Sequence, residues 1–147
     1  MQKAPIILGL TGSIAMGKSE TSKIFRRLGV PVFDADASVH QMLARGGEAV
    51  TTVSKAFPGV VRDDAVDRRI LGDVVFSNAG KLKKLEGILH PLVARARNRF
   101  MRLAGGRRAR VVVMDVPLLY ETGGGDACHA VVVVSAPKCV QRGRALR

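Results

Sequence analysis

Tryptophan is absent from this chain, and tyrosine occurs once beside five phenylalanines in 147 residues. So few rings give no stacking platform for single-stranded nucleic acid, whose bases bind on aromatic faces. Cysteine is nearly as scarce, with only Cys128 and Cys139. Two thiols at that spacing form neither a disulfide framework nor a zinc-ligand set, and they suit a reducing compartment. No apolar run is long enough to cross a bilayer, and the first residues lack the charged, apolar and cleavage regions of a signal peptide. The expectation is a single cytoplasmic domain with no membrane partner.

Acidic residues are also few, 12 against 24 Lys and Arg, so the net charge is +12. The excess is local. From Lys81 to Arg110 there are ten Lys and Arg and a single acid, Glu86. Without aromatics or a recognisable nucleic-acid motif, these charges read mainly as a solvated helix face, and no nucleic-acid partner is expected. A highly phosphorylated small substrate would use positive potential equally well.

The chain does carry a phosphate-binding signature. Gly12-Ser13-Ile14-Ala15-Met16-Gly17-Lys18-Ser19 has the form G-x-x-x-x-G-K-[ST]. The apolar run Ile6–Leu10 precedes it, and Ile24, Phe25 and Leu28 follow at helical spacing, so the loop joins a strand to a helix. That junction aims backbone N–H groups and the positive helix end at a polyphosphate. Lys18 would meet the β- and γ-phosphates of ATP, and the Ser19 hydroxyl would bind Mg²⁺.

Four short apolar segments read as buried parallel strands: Ile6–Leu10, Val30–Phe33, Val111–Met114 and Ala130–Val134. Helical patterns between them imply an α/β fold, a parallel sheet covered on both faces, as in the three-layer α/β/α arrangement of P-loop proteins. The stretch from about Ala37 to Arg110 is too long for a simple crossover and reads as an inserted helical substrate lobe. Val66, Ile70 and Val74, widened by Leu71 and Val75, mark one helix there. Leu85, Leu89, Leu92, Ala96, Phe100 and Leu103 mark a longer one, capped near Ser77 or Asn78 and kinked or divided at Pro91. The expected division is a core of 1–36 and 110–136, a lobe of about 37–109 and the start of a lid at 137–147.

Acidic residues close two of the strands. Asp34-Ala35-Asp36 follows the second, where ligands of open α/β sheets bind. On an extended segment both carboxylates would point one way, one to take a proton from an attacking hydroxyl and one to hold water on Mg²⁺. The alternative role is a helix cap at Asp34 or Asp36. Val111-Val112-Val113-Met114-Asp115 has the Walker B form, whose aspartate orients Mg²⁺. Arg142, Arg144 and Arg147 follow the fourth strand, where a lid brings positive charge onto a transferring phosphoryl group. Sequence identifies no partner for His40 or His129, and His90, before Pro91, reads as structural.

Taken in order, several blocks resemble the dephospho-CoA kinase family. They are Gly9-Leu10-Thr11-Gly12-Ser13-Ile14 with Gly17-Lys18-Ser19, Leu28-Gly29-Val30-Pro31-Val32-Phe33-Asp34-Ala35-Asp36, Asp67-Arg68, His90-Pro91, Asp115-Val116-Pro117-Leu118-Leu119-Tyr120-Glu121-Thr122, Ala136-Pro137, and Gln141 with Arg144. The resemblance implies ATP-dependent phosphorylation of the 3′-hydroxyl of dephospho-CoA. It further implies a nucleotide-binding core, a helical CoA-binding lobe and a lid. By the family's motifs Asp36 is the base, Lys18 the phosphate-loop lysine and Arg144 a lid arginine. Gly12, Ala15, Met16, Gly17, Lys18, Ser19 and Glu20 would bind ATP. Asp34, Asp36, Arg68, His90, Pro117 and Leu118 would meet the acceptor, and Ser19 and Asp115 would hold Mg²⁺.

The chain departs from the family pattern in two loop positions. Ala15 stands in place of a usual glycine, and Glu20 in place of a second hydroxyl residue. The family also extends past Arg147 through the rest of the lid, so the expectation is a C-terminally shortened enzyme. Competing readings are a kinase for another nucleoside or metabolite, and a nucleotide-gated binding module with little activity.

Overall fold

A computed structural model describes residues 3–12, 17–115, 128–135 and 137. Its contacts divide the chain into a sheet unit, residues 1–35 and 100–147, and a helical unit, residues 36–99.

The sheet unit is built on four parallel strands in the order β2-β5-β1-β6, comprising β1 (Ile6–Gly12), β2 (Val32–Asp34), β5 (Val111–Asp115) and β6 (Ala130–Val134). Near-continuous apolar sequence suits the inner strands because parallel sheets are buried on both faces. Leu10, Val112 and Val113 are fully buried, and Met114 nearly so. The expectation of burial fails for β6. It pairs only with β1 among the described strands, and Val133 is 62% exposed.

Helix α1 (Lys18–Arg27) follows β1 directly. Gly17 at its N-cap has φ +91°, a left-handed conformation that glycine alone enters without steric cost. Glu20 in the first turn and Arg26 and Arg27 in the last complement the helix dipole. Gly29, at φ +79°, ends the helix with its N–H bonded to the Arg26 carbonyl. Periodicity located this helix but not its packed face: Ile24 and Leu28 are exposed, and the buried side chain is Ser22.

The helical unit begins in α2 (Ala35–Leu43) and continues through α3 (Val50–Ala56), a hairpin of β3 (Val61–Arg62) and β4 (Ala65–Val66), and α4 (Arg68–Val75). Its core gathers Met42, Val53, Phe57, Val60, Leu71 and Val75 with their neighbours. The hairpin corrects the expectation of helix alone across this stretch. Asp63 and Asp64 take φ of +51° and +61°, as a two-residue turn between twisted strands requires. Val66 therefore lies on β4, not on the helix with Ile70 and Val74. Asp67 caps α4, its carboxylate accepting from the N–H groups of Arg69 and Ile70. The chain turns tightly at Gly47, where a Cβ would collide with the backbone carbonyls of Met42 and Gln41.

Helix α5 (Ala79–Gly106) carries the chain back into the sheet unit, with the Asn78 side chain accepting from Lys81 N–H at its start. Pro91 lies inside it without dividing it. The lost N–H bond is tolerated within a 28-residue helix. The apolar stripe holds from Leu85 to Phe100, but then Ala104 is buried and Leu103 is 59% exposed. A step of four from Phe100 keeps Ala104 on the packed face, where a step of three does not. Phe100 packs on Phe33 of β2, ring centroids 5.6 Å apart. Among the described residues, no helix is long and apolar enough to cross a membrane.

Candidate functional site

The strand order sets the position of the candidate site. From β1 the chain crosses through α1 to β2 on the far side of β5, whereas β6 lies on the opposite side of β1. Connections leaving in opposite directions open a crevice at the carboxyl ends of the strands, the usual ligand position in such sheets. Gly12 ends β1 there, and Gly17, Lys18, Ser19 and Glu20 begin α1. Asp115 ends β5 opposite Leu10 of β1 and Asp34 of β2, so two neighbouring strands finish in carboxylates.

The centre of this arrangement is Asp115. It is 5% exposed, and Lys18 Nζ lies 2.8 Å from its Oδ1. The Ser22 hydroxyl donates to its Oδ2 at 2.9 Å. Burial of a carboxylate demands such compensation, since an isolated charge in a low-dielectric interior is very costly. The lysine contact is an ion pair by distance, and apart from it Oδ1 accepts no hydrogen bond from the described residues. Oδ1 thus has capacity for a further donor or cation. Lys18 keeps 20% of its side chain exposed.

Glu20 is on the exposed side of α1, paired with Lys23 at 2.9 Å. Asp34 ends β2, but Asp36 lies in the first turn of α2, so the two do not share an extended segment. The argument that both carboxylates point one way fails for that reason: helix begins at Ala35, and the period changes between them. Asp36 is exposed.

Within the helical unit, Arg68 is the first residue of α4, and its Nη1 lies 2.8 Å from Nδ1 of His40 on α2. Arg68 lines a groove of about 400 Å³ whose walls include Val39, Leu71, Val75, Phe76 and Leu89. Phe76 is 81% exposed. His90 stands exposed on α5 and is not among the groove's lining residues. Ala15, Met16, Pro117, Leu118, Cys139, Arg142, Arg144 and Arg147 lie outside the described residues.

Two residues at these positions escaped the reading of the sequence. Ser22 had one available signal, a polar residue four after Lys18 where a helix packed on a sheet should present an apolar one. His40 had none, since its approach to Arg68 spans 28 residues. His129 likewise gains a partner only in the fold, its Nδ1 accepting from the N–H of Ile7 at 2.9 Å.

Comparison with known proteins agrees with this geometry. The profile of the family described as Dephospho-CoA kinase matches residues 6–147. A dephospho-CoA kinase of Paramagnetospirillum magneticum is 57% identical over 140 residues, covering 95% of this chain and 66% of the relative. One from Rhodospirillum rubrum is 53% identical, covering 97% of this chain and 68% of the relative. The chain thus spans about two thirds of the length of these relatives. Among solved structures, a Thermus thermophilus protein superposes with a TM-score of 0.82 at 35% identity, over 98% of this chain and 72% of that one. The dephospho-CoA kinase of Campylobacter jejuni superposes at 0.70 with 27% identity, over 86% and 64%. With a family profile that runs from the first strand to the last residue, this chain belongs to the dephospho-CoA kinase family.

Proposed function

We propose that the chain transfers the γ-phosphoryl group of ATP to the 3′-hydroxyl of dephospho-CoA, giving coenzyme A and ADP. The observation that carries this reading is the Lys18–Asp115 pair at the mouth of the sheet, 2.8 Å apart and joined to the start of α1. Membership of the family supports the choice of acceptor.

In this reading the amides at the start of α1 and the Lys18 ammonium cradle the β- and γ-phosphates. Asp36 accepts the proton from the ribose hydroxyl as its oxygen bonds to the γ-phosphorus and the bond to ADP breaks. Mg²⁺, bound with the nucleotide, supplies charge neutralisation of the phosphate oxygens. The Ser19 hydroxyl and Asp115 Oδ1 would hold it; the buried Oδ1 without a directed hydrogen bond fits that role. Arg68, beside an apolar groove, suits an acceptor that carries both phosphate and a long, largely uncharged arm. Arg144 would add lid charge to the transferring group. A location in the cytoplasm belongs to the same proposal.

Release of ADP, measured by a coupled assay with and without dephospho-CoA, tests the reading. Turnover should require the acceptor. Equal ADP release without it, or ATP binding without any turnover, would instead favour another phosphotransfer or a nucleotide-gated binding module.

A further inference from the structure

Ser22 and Asp115 are the buried polar side chains of the described residues, at 2% and 5% exposure, and they are bonded to each other across 93 positions of sequence. The hydroxyl takes no part in the reaction as proposed above. We propose that Ser22 is a positioning residue: its hydrogen bond to Oδ2 keeps Oδ1 of Asp115 turned toward the phosphate side after Lys18 leaves for the nucleotide. The inference rests on the nucleotide-site reading of Lys18 and Asp115.

The two oxygens of Asp115 are divided between two partners in this structure, Oδ1 paired with the Lys18 ammonium and Oδ2 accepting from Ser22. The terminal torsion of an aspartate is broad and roughly two-fold, so a carboxylate held at one oxygen only is free to swing. When Lys18 transfers to the phosphates, Asp115 loses its counter-charge, and the Ser22 bond remains. Ser22 can serve as a fixed donor because it sits on the inner face of α1, one turn beyond Ser19. The helix that brings Ser19 and Lys18 to the nucleotide therefore also orients the carboxylate that must act with them. Without Ser22, Asp115 can turn away from a cation, and that weakens the metal-dependent part of nucleotide binding.

A mere tether between helix and sheet would lower stability and nothing else. The distinguishing measurement is ATP affinity by calorimetry, with Mg²⁺ and in EDTA, on the chain and on Ser22→Ala. Removal of one hydrogen bond to a charged group should weaken Mg-ATP binding about tenfold, with affinity in EDTA unchanged. Ser22→Cys, of similar size but a weaker donor, should fall between the two. In an Asp115→Asn background, Ser22→Ala should add no further loss, since it acts only through that carboxylate. An unchanged ratio of the two affinities in Ser22→Ala, or losses that add in the double variant, overturns the assignment. If the unsubstituted chain gains no affinity from Mg²⁺, the nucleotide-site reading fails and this inference with it. If Mg-ATP binds but dephospho-CoA is not phosphorylated, only the acceptor is wrong, and the affinity ratio still decides Ser22.

Discussion

In the helical unit the core cluster from Met42 to Leu85 is entirely apolar, whereas the sheet unit places a carboxylate and a hydroxyl among its fully buried valines and leucine. Both units satisfy the hydrophobic effect, but only one sets aside interior space for charge. A buried charge costs several kcal/mol unless paired, and under the proposed function its retention in Asp115 sets interior space aside for a ligand rather than for stability. The helical unit keeps its ions at the surface: Arg95 and Glu48 approach at 3.7 Å with both side chains substantially exposed, and Lys84 lies 5.7 Å from the Phe57 ring. Arg68, in contact with His40, lines an apolar groove there.

The largest effect should come from Asp36→Asn, which keeps size and polarity but removes the proposed base. Steady-state kinetics should show kcat down by about 10²–10⁴-fold with KM nearly unchanged. A normal kcat with lower stability would make Asp36 a residue of the first helical turn and nothing more.

Lys18→Ala sharpens the contrast from the sheet side. It should reduce turnover by at least about 10²–10³-fold, the usual loss for a donor to developing charge, and weaken ATP binding. It also leaves Asp115 buried without its cation. Thermal melts should therefore show Lys18→Ala less stable than the Lys18→Ala, Asp115→Asn double variant. The opposite order would mean that burial of the carboxylate costs little here.

Leu71→Ala addresses the apolar core instead. Truncating a 4% exposed leucine should cost about 2–5 kcal/mol in chemical denaturation, while ATP affinity at the sheet unit stays unchanged. A parallel loss of ATP affinity would show that the two units fold as one. Gly47→Ala should cost about 1–3 kcal/mol, because the added methyl meets the carbonyls of Met42 and Gln41 and the turn must open. Arg95→Ala should be the smallest change, about 0–0.5 kcal/mol and less at high salt, since exposed pairs are screened. A larger loss would mean that the helical unit relies on surface charge after all.

Much of the sheet unit was legible in sequence. The strands at Val111–Asp115 and Ala130–Val134 matched the expectation to within one residue, because a buried parallel strand is a short apolar run with an abrupt end. The strand ending at Gly12 and the helix starting at Lys18 were equally plain. The helical unit was read less well. The two-residue turn at Asp63 and Asp64 was missed, since its strands are two residues each and too short for period-two alternation to show. Asp34 and Asp36 were read as one extended pair because the change of period falls between them.

What the sequence determined alone was local: the class of fold, the strand before and the helix after the phosphate-binding signature, the apolar stripe of α5 as far as Phe100 and a cap at Ser77 or Asn78, of which the structure shows Asn78. Each follows from residues within a few positions of one another, where covalent geometry and helical or strand period settle which side chains meet. Only the tertiary structure decided that Lys18 and Ser22 divide the two oxygens of Asp115, that Arg68 meets His40, and that Ile24 of α1 and Leu28 just after it stay in solvent while a serine is buried. Those outcomes depend on which elements, distant in sequence, lie beside one another. Sheet order is set by long-range packing, and a period along one helix cannot report which of its faces a distant strand will cover.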